Sequence, residues 1–258
     1  GAVFAGSIGA MAVPVAQFQL PVLLAPVASA MGMEAIDLGA PVISLGSWSL
    51  SGTQLVGIGI VLLFTMLNVQ GARLAAAVQT TLTTVPMALL TVAAIVALFI
   101  ADGTAATAPV ASESQGSWMT AYSAVYFAFA GWNALIYVAG EVKDPDRNIP
   151  LGLVGGTAIT TVLYLLLCAC FLVVLGFGGL AEAGEAGTAV ASKLGGETAQ
   201  VIITGLIAIV LLASINATIM GGGRIALAMA RDGVLPRSFA RTNEHGVPAR
   251  ALWLQAGW

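Results

Sequence analysis

The sequence predicts an all-α membrane protein, and three observations carry that expectation. Hydrophobic residues make up 59% of the 258-residue chain and charged residues only 8%. A soluble domain carries charge on about a quarter of its residues, so this chain cannot coat a water-exposed globule. Uncharged stretches run over 1–33, 38–72, 74–101, 114–140, 148–181 and 198–223. Each exceeds the ~20 apolar residues an α-helix needs to cross the hydrocarbon core. Finally, the strand alternation of a transmembrane β-barrel is missing, for Leu89 to Ile100 is apolar almost throughout. A mean hydropathy of +0.97 agrees.

Turn-prone residues trim these stretches. Gly39 to Gly52 reads as a loop, which leaves spans near 3–31, 53–70, 74–101, 118–140, 149–177 and 198–230. A further span starts at about 249, after Pro248, and is cut off at Trp258. The spans read as one transmembrane domain. The chain opens on Gly1 rather than Met and stops inside an apolar stretch, so it reads as a fragment. Its opening run is longer than a signal-peptide core and has no basic residue ahead of it, so it is not a targeting segment. Alternating crossings put Arg73, Lys143, Arg147, Arg224, Arg231, Arg237, Arg241 and Arg250 on one side and Lys193 alone on the other. That bias marks the first side as cytoplasmic. The outer loops then hold Glu34, Asp37, Asp102, Glu113, Glu182, Glu185 and Glu197.

Composition also excludes functions. A net charge of −3 with scattered basic residues lacks the stripe a nucleic-acid binder needs. Cys168 and Cys170 lie in an apolar run, so neither a disulfide framework nor a zinc site is expected. No cofactor or metal is expected. A membrane enzyme would need a nucleophile–base pair or a metal cluster within the spans, which hold no Asp, Glu or His. Gly152, Gly155 and Gly156, and likewise Gly221, Gly222 and Gly223, read as close helix packing.

One span is irregular. Tyr122-Ser-Ala-Val-Tyr-Phe-Ala-Phe-Ala-Gly-Trp-Asn-Ala-Leu-Ile-Tyr137 sets Gly131, Trp132 and Asn133 near mid-membrane. Gly loosens a helix, and Asn offers an amide to a backbone group left unpaired. Non-helical backbone at this depth is tolerated only where it is buried or lines a cavity, as in transporter sites. A continuous helix with one buried Asn is the other reading, and from these residues alone both stand open.

The segment Phe127-Ala-Phe-Ala-Gly-Trp-Asn133 is followed by the charged turn Glu141-Val-Lys-Asp-Pro-Asp-Arg-Asn-Ile-Pro150. Together they resemble the signature of permeases of the amino acid–polyamine–organocation superfamily, nearest to the L-type amino acid transporter group. That group reads roughly aromatic-Ala-Tyr-Gly-Gly-Trp-Asn, then Glu-Glu-(Ile/Val)-Lys-Asn-Pro-Glu-Arg-Asn-(Ile/Leu)-Pro. Here Ala130 replaces the first glycine and Gly140 the first glutamate. Gly223-Arg-Ile-Ala-Leu-Ala-Met-Ala-Arg-Asp-Gly-Val-Leu-Pro236 is similar to a second family stretch, and Asn68-Val-Gln-Gly71 to a third.

The resemblance implies a secondary transporter of amino acids working by alternating access. The six spans would be the third to eighth helices of a twelve-helix bundle, part of a five-plus-five inverted repeat, with a broken helix near 127–133. It further implies that Phe127 gates the substrate from the outer side and that Ala128, Phe129 and Ala130 are unwound. Gly131 and Asn133 support the break, and Trp132 lines or braces the cavity. The helix that would hold the substrate's carboxylate is not among these spans.

Half-helix ends bind a zwitterion with little side-chain charge, so a neutral amino acid is the expected substrate. A polyamine or cationic amino-acid antiporter is the substrate variant, and a non-transporting scaffold or truncated remnant is the other functional reading. Glu141 or Asp144 paired with Arg231 or Arg224 is a candidate cytoplasmic gate. Ser214 and Thr218 are candidate cation ligands, although such hydroxyls usually bond the preceding turn. Pro86 stands where proton-coupled relatives carry a lysine. His245 reads as a surface residue and Asn216 as an amide packed between helices. The expected partners are an amino acid and the bilayer of a cell membrane, without nucleic acid; an accessory subunit is left unspecified.

Overall fold

The computed structural model describes residues 2–32, 37–45, 48–107 and 117–257. Glu34 and Glu113 lie outside the described residues, as do the side chains of Phe127 and Glu141. The described chain is overwhelmingly helical. Five helices are long and apolar enough to cross a membrane: Phe4–Ala30, Gly52–Val69, Ala72–Ile100, Pro145–Glu182 and Ala186–Arg231. The chain groups into two compact units, residues 1–88 with 201–258, and residues 89–200.

The first unit begins with α1 (Ala2–Pro14) and α2 (Leu20–Ala30), joined by a wide π turn over Val15–Gln19. Prolines explain the wide turn. Pro21 has no N–H to donate, and the Leu20 N–H reaches five residues back, to the Val15 carbonyl. Where a loop is expected between Gly39 and Gly52, the structure instead forms an antiparallel hairpin, β1 (Pro41–Leu45) and β2 (Trp48–Ser51). Gly46-Ser47 between two short β-prone runs is the hairpin signal that the turn-rich composition hid.

Helix α3 (Gly52–Val69) starts on a capping box. The Gln54 N–H donates to Ser51 Oγ at 3.3 Å, and the Ser51 N–H donates to Gln54 Oε1 at 2.9 Å. Helices α4 (Ala72–Ile100) and α8 (Ala186–Arg231) each contribute to both units. Ile8 and Ala12 of α1, Phe64 of α3, Ile215 and Ile219 of α8, and Leu252 of α9 (Ala249–Gly257) share one core.

A polar chain runs through the same unit. Asn68 Nδ2 donates to the Phe64 carbonyl and to Asn216 Oδ1, both at 2.8 Å. Asn216 Nδ2 donates to Gln79 Oε1 at 2.9 Å and to the Ala75 carbonyl at 3.3 Å. Gln79 Nε2 continues to Thr83 Oγ1 at 3.1 Å. Asn216 is 0% exposed, so each of its polar atoms must find its partner within the protein, and each does.

The second unit holds α5 (Trp118–Ala128), the single-turn α6 (Ala134–Tyr137) and most of its mass on α7 (Pro145–Glu182). The span expected at 118–140 is therefore divided rather than continuous. Helix α7 itself breaks at Gly176, whose φ of 69° is left-handed. A side chain there would collide with the Ala105 carbonyl of the 3-10 turn Thr104–Thr107, so only glycine permits that approach. Lys193 Nζ takes up the Val174 carbonyl beside the kink at 2.6 Å. The helix expected at 198–230 is the part of α8 that follows a break at Gly196, whose φ of 66° is left-handed, and a further helical segment from Ala186 precedes it.

Candidate functional site

The break near 127–133 is the irregular feature on which the sequence reading centred, and it is built from local chemistry. Helical bonding persists to the Phe129 N–H, which donates to the Val125 carbonyl at 3.2 Å. Gly131 then turns the chain with φ 93°, a conformation that strains any residue with a Cβ although open space surrounds it. Beyond it, three-residue bonds flank the single α turn of α6. Ala134 N–H donates to Gly131 O at 2.9 Å, Ile136 N–H to Asn133 O at 3.0 Å, and Val138 N–H to Leu135 O at 3.3 Å. Among the described residues, the N–H groups of Trp132 and Asn133 make no hydrogen bond to protein.

Two side chains finish the break. Asn133 Nδ2 donates to Tyr137 Oη at 2.7 Å. The partner one turn on is thus a hydroxyl, where an unpaired backbone group was the expectation. Sequence reasoning missed Tyr164 on α7. Its hydroxyl donates to the Ala128 carbonyl at 2.6 Å, and its ring meets Phe129 edge-on, centroids 5.2 Å apart at 83°. A lone tyrosine in the apolar run Ile159 to Leu175 was the available signal. Ala128 and Ala130 are exposed, and Trp132 is 64% exposed, so the unwound stretch is open to a neighbour or a ligand. Phe127 stands in the last turn of α5, one residue from the carbonyl that Tyr164 holds.

The other candidates are less concentrated. Glu141 closes the 3-10 turn Ala139–Glu141, and Asp144 is an exposed N-cap of α7 with φ 47° and no side-chain capping bond. Asn148 Nδ2 instead secures that turn by donating to the Lys143 carbonyl at 2.6 Å. Glu141 and Asp144 belong to the second unit, Arg224 and Arg231 to the first. Arg224 Nη1 donates to the Met220 carbonyl of its own helix at 2.6 Å, while Arg231 sits in the last turn of α8, where a cation favours the helix dipole. Gly233, φ 79°, ends that helix as the Val234 N–H reaches Met229 O at 2.8 Å.

Ser214 and Thr218 both donate to the preceding turn, to Val210 O at 3.2 Å and Ser214 O at 2.8 Å. Pro86 is fully buried in α4. Among the described residues no cluster of three or more His, Cys, Asp or Glu side chains could hold a metal. In the loops, the Thr104 backbone N–H and then its hydroxyl hold the exposed Asp102 carboxyl below its ordinary range, with a smaller attraction from Lys193. Burial pushes Glu185 up, against the opposing hydroxyl of Thr188.

Five apolar membrane-length helices and a helix broken at a glycine define a multi-pass integral membrane protein. The chain matches the amino acid permease family over residues 4–258 and belongs to it. It is 28% identical over 229 residues to the serine/threonine exchanger SteT of Bacillus subtilis (strain 168), covering 87% of this chain and 51% of that protein. It is 28% identical over 211 residues to the chloroplastic cationic amino acid transporter 9 of Arabidopsis thaliana, covering 77% and 36%. A methylthioribose transporter of Bacillus subtilis (strain 168) is 33% identical over 133 residues, covering 50% and 28%. The chain thus spans about half the length of the first of these relatives and less of the others.

Proposed function

We propose that the chain is the central part of a secondary transporter that moves neutral amino acids, as zwitterions, across a cell membrane by alternating access. The observation that carries this reading is the break itself. Among the described residues it leaves the N–H groups of Trp132 and Asn133 without protein acceptors in a stretch of apolar helix. Oriented backbone groups at half-helix ends bind charged ends of a substrate without a fixed counter-ion. Phe127 to Asn133 are the substrate-facing residues, with Phe127 closing over the ligand. Family membership and a relative named as a serine/threonine exchanger support an amino-acid cargo. A relative named as a cationic amino acid transporter makes cationic substrates the competing class.

The test is uptake by the full-length protein in liposomes, with labelled neutral and cationic amino acids side by side. Saturable uptake of the neutral set is expected. Phe127→Ala should cut it severalfold while leaving membrane insertion intact, and expression must be followed because removing a packed aromatic costs about 3–5 kcal/mol. Uptake confined to cationic substrates would overturn the substrate assignment. Undiminished uptake by Phe127→Ala would remove the gate.

A further inference from the structure

We propose that Tyr164 is the positioning residue that keeps the broken helix open. The inference rests on the substrate site proposed above and adds a side chain to it. In a continuous α-helix the Ala128 carbonyl would accept the N–H of Trp132, four residues on. Here the Tyr164 hydroxyl occupies that carbonyl at 2.6 Å, and the Trp132 N–H has no protein acceptor among the described residues. One hydroxyl has replaced one backbone donor. The ring holds the hydroxyl in place by packing edge-on against Phe129 at 5.2 Å. Gly131, with φ 93°, supplies the turn that carries Trp132 away from Ala128.

The exchange has a direction. With the carbonyl already bonded from α7, straightening the segment gains only a second, weaker bond at Ala128. Tyr164 thereby biases the segment toward the unwound state and leaves the Trp132 N–H for the substrate. In the apolar surroundings of a membrane span, a carbonyl without a donor would do the reverse and draw the helix closed.

Two measurements on the full-length protein test this. The first is amide hydrogen exchange of residues 129–133 in the parent and in Tyr164→Phe, which keeps the ring and loses the hydroxyl. Slower exchange in the variant is expected, because the freed Ala128 carbonyl recruits the Trp132 N–H. Unchanged or faster exchange would overturn the proposal. The second is neutral amino-acid uptake. Tyr164→Phe should raise KM about five- to tenfold, the size of one hydrogen bond, with Vmax per inserted molecule little changed. Thr161→Val, which removes a hydroxyl that bonds only its own helix at Thr157, should leave both constants alone. A fall in Vmax or insertion at constant KM would reduce Tyr164 to a packing residue and refute the role. A parent that moves no amino acid would refute the proposed function instead, while the exchange measurement would still decide the part played by Tyr164.

Discussion

Asn216 and Asn133 are the same residue in comparable apolar surroundings, and they end in opposite situations. Asn216 is sealed between α3, α4 and α8, and its amide is satisfied from both ends by Asn68, Gln79 and Ala75. Asn133 is half-buried beside a break, bonds one hydroxyl, and neighbours the Trp132 N–H, which has no protein acceptor among the described residues. The first arrangement holds helices together and the second presents groups to something else. A polar residue in a membrane span is therefore not a functional signal by itself. What decides is whether its surroundings complete its hydrogen bonds.

Three substitutions sharpen that contrast. Asn216→Ala should have the largest effect on stability, about 2–3 kcal/mol, from a cavity plus the lost partners of Asn68 and Gln79. A lower unfolding midpoint in detergent, with the KM of any correctly folded fraction unchanged, is expected. A stable variant would show that the amide chain is idle. Gly131→Ala comes next. Holding a left-handed backbone with a Cβ costs roughly 1–2 kcal/mol, which the chain escapes by straightening. Transport should fall sharply while insertion and thermal stability hold, and ordinary uptake would detach function from the break.

The smallest effect belongs to a loop. Glu185 has its carboxyl raised above 4.5 by burial, so the folded chain binds its proton more tightly than the unfolded one. The stability this contributes is full below the unfolded value of 4.5 and is lost as pH rises through the folded value. Asp102, lowered from 3.8, acts oppositely: its contribution is present above 3.8 and lost as pH falls through the folded value. Glu185→Gln should narrow the drop in unfolding temperature between pH about 5 and about 8. An unchanged drop would place the titration elsewhere.

Much of this was readable in the chain. Uncharged length and composition predicted the membrane helices, while Gly131 and Asn133 left a break and a continuous helix both open and the family resemblance implied the break. The features that escaped are those that depend on a partner far along the chain. Tyr164 is 36 residues from Ala128, and Asn68 is 148 from Asn216, distances over which periodicity carries no information. The hairpin at Pro41–Ser51 escaped for a different reason, because its Gly and Ser content resembles that of a loop.

The π turn at Val15–Gln19 has a consequence for chain length. A helix fixes the direction of every later side chain by counting residues, about 100° for each one. Losing a single residue from a straight helix would rotate everything downstream by that angle. The wide turn already contains one residue more than an α-helical turn requires. Removing one there would convert it to ordinary helix, with Ile8 and Ala12 still facing their core and Leu23 still facing Gly205. The first span thus carries a built-in spare position, and Gln19, 5% exposed, is the polar side chain that this spare position brings indoors.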